Sequence, residues 1–139
     1  MNMKWVFLLG ICGCALLLNG CVNSLDGRQR VGMPLIKDRI ESRYKRSATE
    51  IWAAAKDVLK YNGALYSEDL LKSTLEGAVN ERTVWVKVEE LDPQVTRVIV
   101  QTRTKAGLAD LELAGELDKQ IAVRLATGNL TPGTTAYPR

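Results

Sequence analysis

The chain has 139 residues, which is room for one compact domain once a leader and loose ends are set aside. Hydrophobic residues make up 46% and charged residues 25% of it, which is typical of a globular protein and argues against disorder. The formal net charge of +3 argues against nucleic acid as a partner, because nucleic-acid binding normally needs a strong basic excess on one face. Three cysteines fall within the first 21 residues and histidine is absent, so we expect no disulfide, metal site or cofactor in the folded part.

The first 20 residues have the pattern of an export signal. Lys4 precedes the uncharged 14-residue stretch 5–18. A transmembrane helix needs about 20 apolar residues, whereas the core of a signal peptide needs about 7–15. We therefore predict a signal peptide at residues 1–20.

The leader ends in a short motif formed by Leu18, Asn19, Gly20 and Cys21. This motif resembles the lipobox of bacterial lipoproteins, with a small residue before the cysteine. The resemblance implies that a signal peptidase recognises Leu18, Asn19 and Gly20, cuts before Cys21, and leaves the Cys21 thiol carrying a diacylglyceryl group. Two or more acyl chains give lasting membrane attachment. The resemblance to the lipobox also implies a location for the mature protein. Because Val22 rather than Asp follows the cysteine, this location is the periplasmic face of the outer membrane, if the source has one.

Two alternatives to this processing stay open. A second lipobox could end at Cys14, although it would leave only residues 5–10 as an apolar core. The leader could also remain uncleaved as an N-terminal anchor. Both alternatives still tether the chain to a membrane.

The mature chain is predicted to start with a flexible linker at residues 21–39, which has turn-forming residues and no sustained periodicity. Alternating residues at 40–46 predict a strand. Ser47 and Glu50 have the spacing of a capping box, so we expect a helix to begin there. Its apolar face would comprise Ile51, Ala54, Ala55, Val58 and Leu59, and Gly63 would end it in a left-handed conformation.

Four strands and a second helix are predicted next. The strands lie at about 64–68, 74–79, 83–89 and 95–103, the last three as an antiparallel meander. A second amphipathic helix begins at Asp110 and ends at Gly128, with Ala114, Leu117, Ile121 and Leu125 on one stripe. We therefore predict an α+β domain at residues 40–127, in the order β-α-β-β-β-β-α. Two helices would pack on one face of a four- to five-stranded antiparallel sheet, and residues 128–139 would be a disordered tail.

Residues 44–125 also resemble an uncharacterised family of small bacterial lipoproteins, a domain of unknown function. The matching stretches are the final amphipathic helix, Ile51-Trp52-Ala53-Ala54-Ala55, Leu75-Glu76-Gly77, and Leu91-Asp92-Pro93 through Thr96-Arg97-Val98. The order of elements is similar, more distantly, to helix-grip modules in lipoproteins of the outer-membrane assembly machinery. Neither resemblance implies an activity.

Reactive groups are few, and we expect no enzyme and no catalytic residue. Ser73 follows Lys72 directly, and adjacent residues of a regular strand point to opposite faces, so the two cannot form a dyad. The pairs Glu89-Glu90 and Asp110/Glu112 are explained more simply as exposed charges at turns and at a helix start.

The expected function is protein interaction or envelope assembly at a membrane. If the valines that alternate with Trp85 pack under the helices, Trp85 lies exposed on the open sheet face. Trp85, Lys87 and Arg97 then form a possible surface for a partner, expected to be an envelope protein, although ordinary cross-strand packing is an alternative. The alternative function is a periplasmic carrier of a small apolar or lipid-like ligand held between helices and sheet.

Overall fold

The computed structural model describes residues 21–25, 27–31 and 37–127. In chain order these residues form β1 (Cys21–Asn23), β2 (Gln29–Val31), β3 (Arg39–Tyr44), α1 (Ala48–Asn62), β4 (Ala64–Asp69), β5 (Thr74–Val79), β6 (Arg82–Asp92), β7 (Val95–Arg103) and α2 (Leu111–Thr127). The predicted signal peptide, tail and helix end at Gly128 lie outside the described residues.

The predicted α+β fold is confirmed. Strands β3 to β7 form one antiparallel sheet in the order β3-β7-β6-β5-β4. Strands β4 to β7 follow one another as hairpins, and β3 pairs with β7 at the far edge. The β5–β6 turn is tight because Asn80 and Glu81 both have positive φ, at 48° and 63°, as a two-residue hairpin of type I′ requires.

Both helices cover the same face of this sheet. Helix α1 begins with the predicted capping box, in which the Ser47 hydroxyl accepts from the Glu50 amide and the Glu50 carboxylate accepts from the Ser47 amide. The core combines the buried faces of the helices with inward residues of β5, β6 and β7; it contains Ile51, Ala54, Ala55, Val58, Leu59, Leu75, Val79, Val84, Val86, Val88, Val98, Val100, Ala114, Leu117 and Ile121. The predicted apolar face of α1 is confirmed, as is the stripe of α2, whose Leu125 is partly buried.

The end of α1 differs from the prediction at Gly63. This residue caps the helix through its amide, which donates to the Leu59 carbonyl at 3.0 Å. Its φ is −178°, so the expected left-handed conformation is wrong. Glycine is required for another reason: a Cβ at position 63 would lie 2.0 Å from the carbonyl oxygen of Ala78 on β5.

Part of the predicted linker has regular structure. Strands β1 and β2 form an antiparallel hairpin in which Cys21 pairs with Val31 and Asn23 with Gln29. Its turn is closed by two backbone hydrogen bonds, from the Ser24 amide to the Arg28 carbonyl and from the Gly27 amide to the Ser24 carbonyl, both at 3.0 Å. We call residues 21–31 the N-terminal hairpin.

Candidate functional site on the outer sheet face

The sheet face opposite the helices, called here the outer face, is where sequence reasoning placed the partner surface. The alternation along β6 that turns Val84, Val86 and Val88 inward directs their neighbours to this face. The cross-strand pairs of the outer face are Trp85 with Gln101, Lys87 with Ile99, and Glu89 with Arg97.

Trp85 does not lie exposed on this face. Trp85 and Gln101 are both 0% exposed, and Ile99 is 5% exposed. The N-terminal hairpin reaches this region, because the Leu25 amide donates to Gln101 Oε1 at 3.0 Å and Ser24 is buried. The prediction that Trp85 offers an exposed contact surface is therefore wrong: alternation assigned it to the correct face but could not indicate that the face is covered.

A buried polar cluster joins the start of β3 to this covered region. Gln101 Nε2 donates to Asp38 Oδ2 at 2.6 Å, and Arg103 forms an ion pair with the same carboxylate. Arg103 is 4% exposed and also donates to the Gly107 carbonyl at 2.9 Å. A buried guanidinium is tolerated when it is paired in this way. Sequence reasoning missed this cluster, since Asp38 fell within the predicted linker; the only signal was two polar residues near the end of a β-branched strand.

Lys87 and Arg97, the other two predicted surface residues, are brought together by Glu89. The Lys87 ammonium lies 2.6 Å from Glu89 Oε1, and Arg97 Nε donates to Glu89 Oε2 at 2.8 Å. The hydrogen bonds from Lys87 and then Arg97 lower the pKa of Glu89 below its ordinary value. All three side chains are partly exposed, at 25–34%. This charged row, Lys87-Glu89-Arg97, remains accessible beside the covered Trp85.

On the other side of the sheet, Asp118 connects α2 to the edge strand β3. Its carboxylate accepts from Ser42 Oγ at 2.6 Å and from the Tyr44 hydroxyl at 2.8 Å. Burial and then the hydrogen bond to Asp118 raise the pKa of Tyr44 well above its ordinary value of 10.0. Tyr44 therefore stays protonated near neutral pH and serves as a structural hydrogen-bond donor.

Three other candidate reactive groups, Lys72, Ser73 and Asp110, lie at a turn and at a helix start. Ser73 lies in the β4–β5 turn with a φ of 51°, and Lys72 Nζ is 3.9 Å from Asp69 Oδ2. Asp110 caps α2, accepting from the Leu113 amide at 3.1 Å, and forms an ion pair with Arg82. These two contacts, led by the hydrogen bond from the Leu113 amide, lower the pKa of Asp110.

Two further features concern ligands. An open depression of about 630 Å³ lies at the start of α2, lined by charged and polar side chains that include Arg82, Asp110, Glu112, Glu116 and Lys119. Within the part of the chain that the structure describes, no group of three or more metal-ligating side chains comes together. Over the same residues, neither helix has the length and apolar character needed to cross a bilayer.

Comparison with known proteins leaves the family open. No protein-family model matches the sequence, and no curated protein sequence is significantly similar to it. The resemblance to small lipoproteins of unknown function therefore stays a prediction.

Proposed function

We propose that the chain is a membrane-anchored bacterial lipoprotein that acts without catalysis, as a protein-interaction or envelope-assembly module. The lipobox at residues 18–21 supports the anchor. In a source with two membranes, Val22 favours the periplasmic face of the outer membrane as its location. The proposed partner is another envelope protein.

The observation that carries the proposal is the attachment of the N-terminal hairpin to the outer face. Leu25, four residues after Cys21, donates its amide to Gln101 Oε1 at 3.0 Å. The four residues from Cys21 to Leu25 span at most about 15 Å, since each residue spans at most ~3.6 Å. A lipid on Cys21 would therefore be attached close to a residue that is hydrogen-bonded to the domain. Such a domain is held close to the bilayer in a restricted orientation and does not swing on a long linker, which suits a module that presents one surface to a partner.

The charged row is the part of the predicted partner surface that remains available. Lys87, Glu89 and Arg97 satisfy one another, and Arg43 of β3 lies opposite Arg97 in the register. Partly exposed charges of this kind contribute more to the choice of partner and to association rate than to affinity. The row therefore suits recognition of a partner that carries a complementary charge pattern.

The carrier alternative needs a cavity between the helices and the sheet, and the residues described in that layer are closely packed instead. Val86 and Leu75 of the sheet are 0% exposed, and Leu117 of α2 is 1% exposed, in one packed cluster. The open depression at the start of α2 lies outside this layer and is lined mainly by polar and charged residues. Apolar ligands are held in pockets lined mainly by hydrophobic side chains, so this depression does not suit them.

The test is crosslinking in cells. A photo-crosslinking amino acid replaces Arg43, which is exposed beside the charged row, in the full-length lipoprotein; the matched control carries it at Val123, which is 61% exposed on α2. We expect a discrete protein adduct from position 43 that is absent or much weaker at position 123. A third variant carries the crosslinking residue at position 87. If positions 43, 87 and 123 all give the same background of protein adducts, the interaction function is refuted.

A further inference from the structure

The turn between β4 and β5 exposes two adjacent leucines. Leu71 is 100% exposed and Leu70 is 75% exposed. Turns favour glycine, asparagine, aspartate and serine, whose backbone freedom or short polar side chains suit them, and leucine has neither property. Because neither side chain packs on the core, the fold gives no reason for leucine here. We call Leu70 and Leu71 the leucine tip.

A third leucine projects from the same end of the sheet. Asp69 pairs with Thr74 at the start of β5, and Thr74 pairs with Lys87 of β6. Strand β6 continues past Lys87 to its turn with β7, and there Leu91 is 43% exposed. Three exposed leucines, two of them adjacent, therefore lie at one end of the sheet, and exposed apolar residues that cluster mark interaction sites more often than single ones do.

The N-terminal hairpin reaches the base of the leucine tip. A Cβ built on Gly27, in the hairpin turn, would lie 3.6 Å from Lys72 Nζ. Cys21 lies at the other end of this hairpin, paired with Val31, and the six residues from Cys21 to Gly27 span at most about 22 Å. The leucine tip is thus close to the segment that starts at the proposed lipid anchor, and the bilayer that receives the lipid is the apolar medium within its reach.

We propose that the leucine tip enters the bilayer at the boundary between headgroups and acyl chains, so that Cys21 and the tip hold the domain at two points. This inference rests on the proposed membrane anchor. Lys72 suits the position, because its ammonium, 3.9 Å from Asp69 Oδ2, lies at the base of the tip, where the polar headgroup layer would meet it. The exposed carboxylates of Glu90 and Asp92 flank Leu91 and oppose deep entry, so insertion is shallow and does not require anionic lipid.

The test uses the absence of other thiols. Cys12 and Cys14 belong to the leader and the Cys21 thiol carries the lipid, so the mature lipoprotein with Leu71→Cys has a single reactive thiol. This variant is labelled with an environment-sensitive fluorophore and reconstituted into phosphatidylcholine vesicles, with or without spin-labelled acyl chains. Control variants are Leu108→Cys at the opposite end of the sheet and Val123→Cys on α2, whose native side chains are 60% and 61% exposed.

We expect a blue-shifted emission at position 71 and quenching by spin-labelled lipid several-fold stronger than at positions 108 and 123. If the label at position 71 emits at the same wavelength as both control labels and is quenched as weakly as they are, the inference is overturned. If the emission shifted to the blue only when a purified protein partner was added, the tip would be a protein contact and the bilayer assignment would be wrong. Unchanged melting temperatures establish that all three variants fold.

Intact-mass measurement of the same samples separates the two proposals. A mass without a lipid on Cys21 refutes the anchor itself. If Cys21 is lipidated but the label at position 71 emits as a water-exposed label does, only the insertion of the tip is refuted.

Discussion

Replacing Gly63 by alanine is expected to destabilise the domain strongly. The new Cβ would lie 2.0 Å from the Ala78 carbonyl oxygen and 3.2 Å from the Val79 Cα. Carbon–oxygen contacts are normally no shorter than ~3.3 Å, so the backbones must separate by about 1.3 Å. This movement falls on the first pairs of the β4–β5 ladder, Ala64 with Ala78 and Leu65 with Gly77. Overpacking of this kind costs about 3 kcal/mol, and for a domain of this size the melting temperature should fall by roughly 10–20 °C.

The assay is thermal and urea unfolding, with Gly63→Asn as a second variant. If a left-handed backbone were the reason for glycine, alanine would cost only about 1 kcal/mol and asparagine less, because asparagine tolerates that conformation. A close approach instead makes both variants severe, since both carry a Cβ. Gly115→Ala is the matched control: nothing lies within 4 Å of its Cβ position, and alanine in a helix should stabilise by about 0.5–1 kcal/mol. A mild effect of Gly63→Asn would refute the reasoning.

Three further predictions concern buried or paired side chains. Trp85→Ala should cost about 3–5 kcal/mol in urea unfolding, because Trp85 is 0% exposed, and an unchanged midpoint would contradict its burial. Asp118→Asn should cost about 1–3 kcal/mol through weakened bonds to Ser42 and Tyr44, and should lower the pKa of Tyr44 in a spectroscopic titration; an unchanged pKa would contradict the contact. The lowered pKa of Glu89 gives stability that is present above the ordinary glutamate value of about 4.3 and is lost as the pH falls through the lowered folded value. The Glu89→Gln variant should therefore be less stable than the native chain at neutral pH, and its melting temperature should fall less steeply as the pH is lowered. Parallel curves of melting temperature against pH for the two chains would contradict this.

The helices and most strands could be predicted because their signals are local. The capping box at Ser47 and the spacing of the buried residues of α1 depend on a few neighbouring residues, and both are confirmed. Strand β7 was predicted with its observed bounds because β-branched residues fill it. The three strands of the meander, predicted at about 74–79, 83–89 and 95–103, match β5, β6 and β7 apart from the longer ends of β6.

The features that escaped prediction depend on contacts between distant residues. Alternation placed Trp85 on the outer face, but its burial depends on other parts of the chain reaching that face, among them Leu25, which bonds to Gln101. Asp38 looked like linker because its partner Arg103 lies 65 residues away. Gly63 looked like an ordinary helix stop, and only the approach of β5 explains it. For the same reason the sequence predicts which face of the sheet carries the candidate site, but it does not predict which residues of that face are exposed.

The account depends most on the chemical state of Cys21, and intact-mass analysis of the protein purified from the membrane tests it directly. The account predicts a chain that begins at residue 21, without residues 1–20, and carries the added mass of a diacylglyceryl group, with or without a further acyl chain. A Cys21→Ser variant should retain its leader and gain no lipid. A native chain with residues 1–20 still attached and a free thiol at position 21 would contradict the account.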